Sequence, residues 1–194
     1  MRLWIDGLPV DVAPGKSLLD GVQQLMLDSP LLSQRPLAAR IAGETFTLNY
    51  IPQREADTLP DGTVTMRRAM VASGGKVTLL RYADHRGKQV YTRTVQFVLF
   101  LAVRQLWPAA VAKMNFTVGD TLNVTIEKQP QFCANDVPAL KAEVEKLVAM
   151  DIPLIRRRIT TRQAMDMFAH DGQEDKARLL AWRQAPYFDV YQYG

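Results

Sequence analysis

The feature that most constrains this chain stands at its start. Leu3 and Ile5, then Val10 and Val12, alternate with polar neighbours on either side of Asp6-Gly7. Period-two alternation interrupted by a two-residue turn pair predicts a hairpin. A hairpin alone has one apolar face and nothing to bury it against, so the chain must supply a cover. The next segment can do so. Pro14-Gly15 breaks the strand pattern, Ser17 is placed to cap a helix, and Leu18, Val22, Leu25 and Met26 recur at helical spacing up to Asp28-Ser29-Pro30.

Two more short strands, Leu37 to Ile41 and Phe46 to Leu48, are joined at Ala42-Gly43-Glu44. Together these segments make a ββαβ-type unit with a β-grasp-like outline. The pattern weakens from Pro52 to Lys76, where Pro60-Asp61-Gly62 reads as a turn, Thr63 to Arg67 alternates weakly and Ser73-Gly74-Gly75 is a break. Lys76 to Tyr82 then predicts a strand, and Asp84-His85-Arg86-Gly87 a turn that closes a first domain over residues 1–88.

A second domain is expected over 89–194. Thr92 to Leu106 has Val95, Val98, Leu99, Ala102, Val103 and Leu106 at helical spacing, with Phe97, Phe100 and Leu101 on other faces. Apolar nearly all round, it predicts a buried central helix, stopped by Trp107-Pro108. Strands follow at Val111 to Thr117 and Leu122 to Glu127. A helix opens at Asn135 or Asp136 with Pro138 in its first turn, and Leu140, Val144, Leu147 and Val148 form its inner stripe. Leu154 to Ile159 reads as a strand, Thr160 with Gln163 as a capping box, Glu174 to Trp182 as a last helix, and the aromatic tail from Pro186 as a strand. The fold class is α+β.

Composition excludes several classes. One cysteine, Cys133, permits no internal disulfide and no cysteine-rich zinc site. The most apolar run, Val95 to Val103, is interrupted by Gln96 and is far short of the roughly 20 residues that span a bilayer. With no signal-peptide pattern at the start, a cytoplasmic location is expected, and the sequon Asn123-Val-Thr125 then carries no meaning. The balance of 24 basic to 20 acidic residues is compatible with nucleic acid or phosphate partners without demanding them.

Residues that could carry catalysis are sparse. His85 and His170 have no companion at metal-ligand spacing and read as surface residues; Cys133 has no histidine partner nearby; no serine sits in a GxSxG setting. Ser73-Gly74-Gly75-Lys76-Val77 lacks the first glycine and the hydroxyl of a phosphate-binding loop. No catalytic residue, metal ligand or cofactor site is expected. What remains is basic: Arg156-Arg157-Arg158 on a strand, with Arg67-Arg68, Arg86, Lys88, Arg93, Arg104 and Lys113 elsewhere. Paired guanidinium donors suit phosphates, so RNA or nucleotide contact through Arg93, Arg156, Arg157 and Arg158 is the binding expectation.

Three stretches together resemble a known arrangement. Trp4-Ile5-Asp6-Gly7, Pro14-Gly15-Lys16-Ser17-Leu18-Leu19-Asp20 and Leu37-Ala38-Ala39-Arg40-Ile41-Ala42-Gly43-Glu44 look like a TGS domain, the β-grasp module at the front of threonyl-tRNA synthetases. Residues 52 to 76 look like an insertion relative to it. Phe97 to Trp107 with Pro108-Ala109-Ala110 resembles the helix opening the synthetase's second, editing-type domain. Glu143-Lys146-Leu147-Val148 followed by Asp151-Ile152-Pro153-Leu154 and Arg156-Arg157 resembles that domain's later helix and strand. The editing helix of the family carries an HxxxH pair, and a cysteine–histidine pair completes the site; at the matching helix positions stand Arg93 and Phe97, and nothing after Arg158 matches the second pair. The resemblance therefore implies the fold without the hydrolytic set.

The RxxxF pattern of Arg93 to Phe97, and the tail Gly172-Gln173-Glu174-Asp175-Lys176-Ala177-Arg178-Leu179-Leu180 with Pro186-Tyr187 and Val190-Tyr191, look like the degenerate version in front of bacterial uridine kinase-like nucleoside kinases. That likeness implies a non-catalytic accessory region, regulatory or RNA/nucleotide-binding. A kinase domain using ATP and magnesium would follow in the same polypeptide. The other expectation is a stand-alone tRNA-binding module or residual aminoacyl-tRNA deacylase.

Overall fold

A computed structural model describes residues 2–28, 35–49, 74–119, 121–152 and 154–193, with 117, 118, 155–158 and 192 described through their backbone alone. The described residues are mixed α+β, with three small sheets and five α-helices. The weak stretch beginning at Pro52, with its turn at Pro60 and the pair Arg67-Arg68, lies almost wholly outside them. Two compact units divide the chain, 1–96 and 97–194.

In the first unit, β1 (Arg2–Ile5) and β2 (Leu8–Asp11) form the expected hairpin, in register Ile5 to Leu8. Asp6 and Gly7 both have positive φ, 48° and 84°. This is the left-handed pair whose twist matches that of the strands it joins. The Asp6 carboxylate also accepts from the Leu79 amide at 2.9 Å and from Arg81 Nη2 at 2.7 Å, which ties the turn to a strand 73 residues away. Helix α1 (Leu18–Asp28) follows. Next come β3 (Ala38–Ile41) and β4 (Glu44–Phe46), turned by Ala42 and Gly43 at φ 48° and 90°. Strand β5 (Lys76–Leu80) then enters between β1 and β3, giving the order β2-β1-β5-β3-β4. It runs parallel to β1 and antiparallel to β3. Leu3, Ile5, Ile41, Val77 and Leu79 from the strands and Leu18, Val22 and Leu25 from α1 close one buried cluster.

Helix α1 begins in a reciprocal cap. The Asp20 amide donates to Ser17 Oγ at 3.2 Å, while the Asp20 carboxylate accepts from the Ser17 amide and hydroxyl, each at 2.7 Å. The Ser17 hydroxyl first, then the Ser17 amide, with Lys16 adding attraction, hold the Asp20 carboxyl below the usual aspartate range. A depressed folded-state pKa adds stability above the unfolded value, near 3.9, and loses it as pH falls through the folded value. Asp20→Asn should therefore lower the urea midpoint at about pH 7, with a gap to wild type that holds down to about pH 5 and narrows as pH falls from there toward about pH 3. A gap that stays constant across that range would show that the carboxylate's charge is not what stabilises the cap.

The expected turn at Asp84 to Gly87 is corrected. Helix α2 runs over His85–Leu106, 22 residues, and Gly87 lies inside its first turns. Gly87 is buried because the chain passes tightly there: a Cβ would fall on the Arg81 carbonyl oxygen, with the Arg81 carbonyl carbon 2.6 Å away. The glycine marks a close approach between backbones rather than a turn, which sequence punctuation does not distinguish. The expectation of a fully buried helix is also corrected. Ala102 and Val103 are buried, but Phe97 to Leu101 are half-buried and Val95 is exposed. The two units divide inside this helix, after Gln96.

The second unit holds the hairpin β6 (Val111–Val118) and β7 (Thr121–Glu127), then α3 (Val137–Ala149). It continues with β8 (Leu154–Thr160), α4 (Thr161–His170), α5 (Glu174–Ala181) and β9 (Tyr187–Tyr193), which pairs with β8. The Thr160–Gln163 capping box opens α4, its two backbone bonds at 3.2 and 3.0 Å. Pro138 stands at the start of α3, and the Asp136 carboxylate accepts from the Cys133 amide at 2.9 Å to close the short 3-10 turn before it.

Candidate functional site

Helix α2 starts from a pinned entry. The Asp84 carboxylate accepts from the Arg81 amide at 2.6 Å, and the Asp84 carbonyl accepts from the Lys88 amide at 2.8 Å. From there His85, Lys88, Gln89, Thr92, Arg93 and Gln96 follow at spacings of three and four and line a shallow, open depression of about 320 Å³. All six belong to the first unit.

The charge pattern of this helix is one-sided. Over 22 residues it carries Arg86, Lys88, Arg93 and Arg104 and no aspartate or glutamate. Two of the four sit in or beside the first turn, where the helix dipole opposes positive charge by roughly 0.3–1 kcal/mol each. Local helix stability therefore does not account for cations at that end. From His85 to Arg93 the stripe covers about 12 Å of helix axis, the rise of roughly three to four nucleotides of one strand. Neutral donors (Gln89, Thr92, Gln96) alternate with the cations, so the face offers hydrogen bonds as well as charge to an anion. Tyr82 and Tyr91, both half-exposed, meet edge to face at 5.0 Å beside it.

Arg93 is exposed on this stripe. Arg156, Arg157 and Arg158 lie on β8, in register with Tyr191, Val190 and Asp189 of β9, and belong to the second unit. Arg104 is 4.0 Å from Asp171. Lys113 is held by both oxygens of Glu127 at 2.8 Å. That pair accounts for one of the basic residues singled out from sequence. His170 ends α4 and Cys133 is an exposed free thiol. Among the described residues no group of three His, Cys, Asp or Glu could hold a metal ion, and no helix is long and apolar enough to cross a membrane.

Sequence reasoning had Arg86, Lys88 and Arg93 as separate basic residues and left out Gln89, Thr92 and Gln96. The signal was present as a three-four spacing from His85 onward. Reading Gly87 as a turn cut the helix where that stripe begins.

No family model matches the chain. Among curated proteins it is similar to threonine–tRNA ligases. That of Syntrophomonas wolfei is 22% identical over 175 residues, 90% of this chain and 24% of the ligase. That of Finegoldia magna is 23% identical over 120 residues, 62% of this chain and 19% of the ligase. That of Hyphomonas neptunium is 22% identical over 196 residues, 95% of this chain and 26% of the ligase. The chain spans about a quarter of the length of the curated relatives it matches, in their N-terminal region. These relatives support the synthetase side of the expected resemblance. They lend none to the uridine kinase-like side, nor to a kinase domain as partner.

Proposed function

We propose that this chain is an RNA-binding region built like the front of a threonyl-tRNA synthetase, a TGS-like β-grasp unit followed by a degenerate editing-like unit. It holds structured RNA, tRNA foremost, without hydrolysing it. The observation that carries the reading is the acid-free face of α2, where His85, Lys88 and Arg93 line one depression with three neutral hydrogen-bonding side chains. The sheet order, with β5 parallel to β1 between two hairpins and one helix across the core, supports the β-grasp half. The tRNA named in the relatives' function supports the ligand class. Arg156, Arg157 and Arg158 extend the basic character to the β8–β9 hairpin.

Hydrolysis of an aminoacyl ester needs a positioned base with a partner to orient it. His85 is the one imidazole lining the depression, and no carboxylate lines it. Deacylation is the second reading, kept because the relatives are ligases of tRNA.

The test is fluorescence anisotropy with a labelled tRNA transcript across a salt series. Wild type should bind and weaken steeply with salt, because each phosphate contact releases counterions. Arg93→Gln with Lys88→Gln should weaken binding by roughly tenfold or more and flatten the salt slope by about two contacts. Absence of binding at low salt, or an unchanged slope in the double variant, would sink the assignment. Loss of charge from several aminoacyl-tRNAs on incubation with the protein would favour deacylation instead.

A further inference from the structure

The five-stranded sheet has two faces, and α1 covers one of them. On the other, strand alternation turns Arg2 and Trp4 of β1, Lys76 and Thr78 of β5, and Arg40 of β3 away from the core. All five are exposed, Trp4 by 44%. The register sets them side by side. Trp4 pairs with Lys76, and the Trp4 amide donates to the Gly75 carbonyl at 2.9 Å. Thr78, two residues beyond Lys76, pairs with Arg40. Strand and residue spacings then put Trp4 and Arg40 about 12 Å apart, with Lys76 and Thr78 between them. On the same face Asp11 of β2 is already held by Arg2, at 3.0 Å, which leaves the charge of Lys76 and Arg40 to the open face.

We infer that this sheet face is a stacking site for unpaired nucleotides of RNA, with a base on the Trp4 indole and the flanking phosphates drawn to Lys76 and Arg40. Charge and shape complementarity select that occupant. A flat exposed ring flanked by cations suits a ligand in which flat bases alternate with anionic phosphates. The Thr78 hydroxyl adds a donor and acceptor between the cations. A regular duplex fits poorly, because its bases are stacked on one another and offer no free face to the indole. An acidic peptide would satisfy the cations but brings no planar group to Trp4.

No residue of this site belongs to α2. It therefore stands or falls separately from the tRNA reading of that helix.

The test is anisotropy of the full chain with a labelled uridine oligonucleotide of about ten residues, beside a duplex of the same length and polyglutamate. Wild type should bind the single strand more tightly than the duplex or polyglutamate, and Trp4 fluorescence should be quenched on binding. Trp4→Ala should weaken single-strand binding about tenfold, and Trp4→Phe should restore most of the affinity, since a phenyl ring still stacks. Arg40→Gln with Lys76→Gln should flatten the salt slope by about two contacts, with an unchanged circular dichroism spectrum. No single-strand binding at low salt overturns the inference, as does a Trp4→Ala variant that binds like wild type, or a Trp4→Phe variant as weak as Trp4→Ala. Polyglutamate bound as tightly as the oligonucleotide would make the face a surface for acidic protein and overturn it too. If Lys88→Gln with Arg93→Gln abolishes single-strand binding while Trp4→Ala leaves it intact, the nucleotides sit on α2 alone and the sheet-face site is wrong.

Discussion

Gly87→Ala should destabilise the first unit by about 3 kcal/mol, the upper part of the range for overpacking. Two effects compete. Alanine gains about 1 kcal/mol over glycine in a helix interior. Against that, the new Cβ would land on the Arg81 carbonyl oxygen, and this atom cannot move aside cheaply. The Arg81 carbonyl accepts from the Asp84 amide at 3.0 Å, and the Arg81 amide donates to the Asp84 carboxylate at 2.6 Å. Shifting Arg81 would also disturb its guanidinium bond to Asp6, 2.7 Å, which joins β5 to the first hairpin. The clash is with backbone held at both ends, so it wins. Urea denaturation of the two proteins settles the sign; an alanine variant as stable as wild type would mean that α2 does not approach β5 as closely as described.

The second large effect is Ile5→Ala. Ile5 is fully buried in β1, flanked by Leu8 of β2 and Val77 of β5, and packs in the cluster that α1 covers. Removing most of a buried isoleucine costs the transfer free energy of the lost groups plus the cavity left behind, about 2–5 kcal/mol. A unit of this size has a total stability on the order of 5–14 kcal/mol, so one residue governs a large share of it. Leu27→Ala is the matched control, because Leu27 is 87% exposed near the end of α1, and its loss should stay within about 0.5 kcal/mol. Equal losses from the two variants, read from urea midpoints, would contradict the placement of the core between α1 and the five-stranded sheet.

Much of the local structure was legible because short-range rules decide it. The Asp6-Gly7 hairpin, the Ser17 cap, the β6–β7 hairpin and the Thr160–Gln163 box each depend on residues within a few positions of one another. Their chemistry is the same whatever lies beyond. The start of α2 was not legible for the opposite reason. Glycine serves both turns and tight contacts, and only the distance to Arg81 tells which applies at Gly87. The apolar helix was misjudged in a related way. A sequence shows that Phe97 to Leu101 are apolar, but burial depends on what surrounds them, and they are half-buried.

The candidate site divides along the same line. Arg93 stood out from sequence as a cation, yet a lone cation is only charge. Its partners Lys88, Gln89 and Thr92 become a surface once α2 is seen to begin at His85 and turn them onto one stripe. Lys113 shows the reverse, a basic residue that the fold assigns to an ion pair with Glu127.

The sequence by itself determined most element types, the Ser17 and Thr160 caps, the Asp6-Gly7 turn and the α+β class, because these rest on local geometry and residue chemistry. Tertiary structure alone decided that β5 inserts beside β1 and that Gly87 is a contact rather than a corner. Those outcomes depend on atoms far apart in the chain meeting in space, and pairing across 73 residues leaves no local pattern to read.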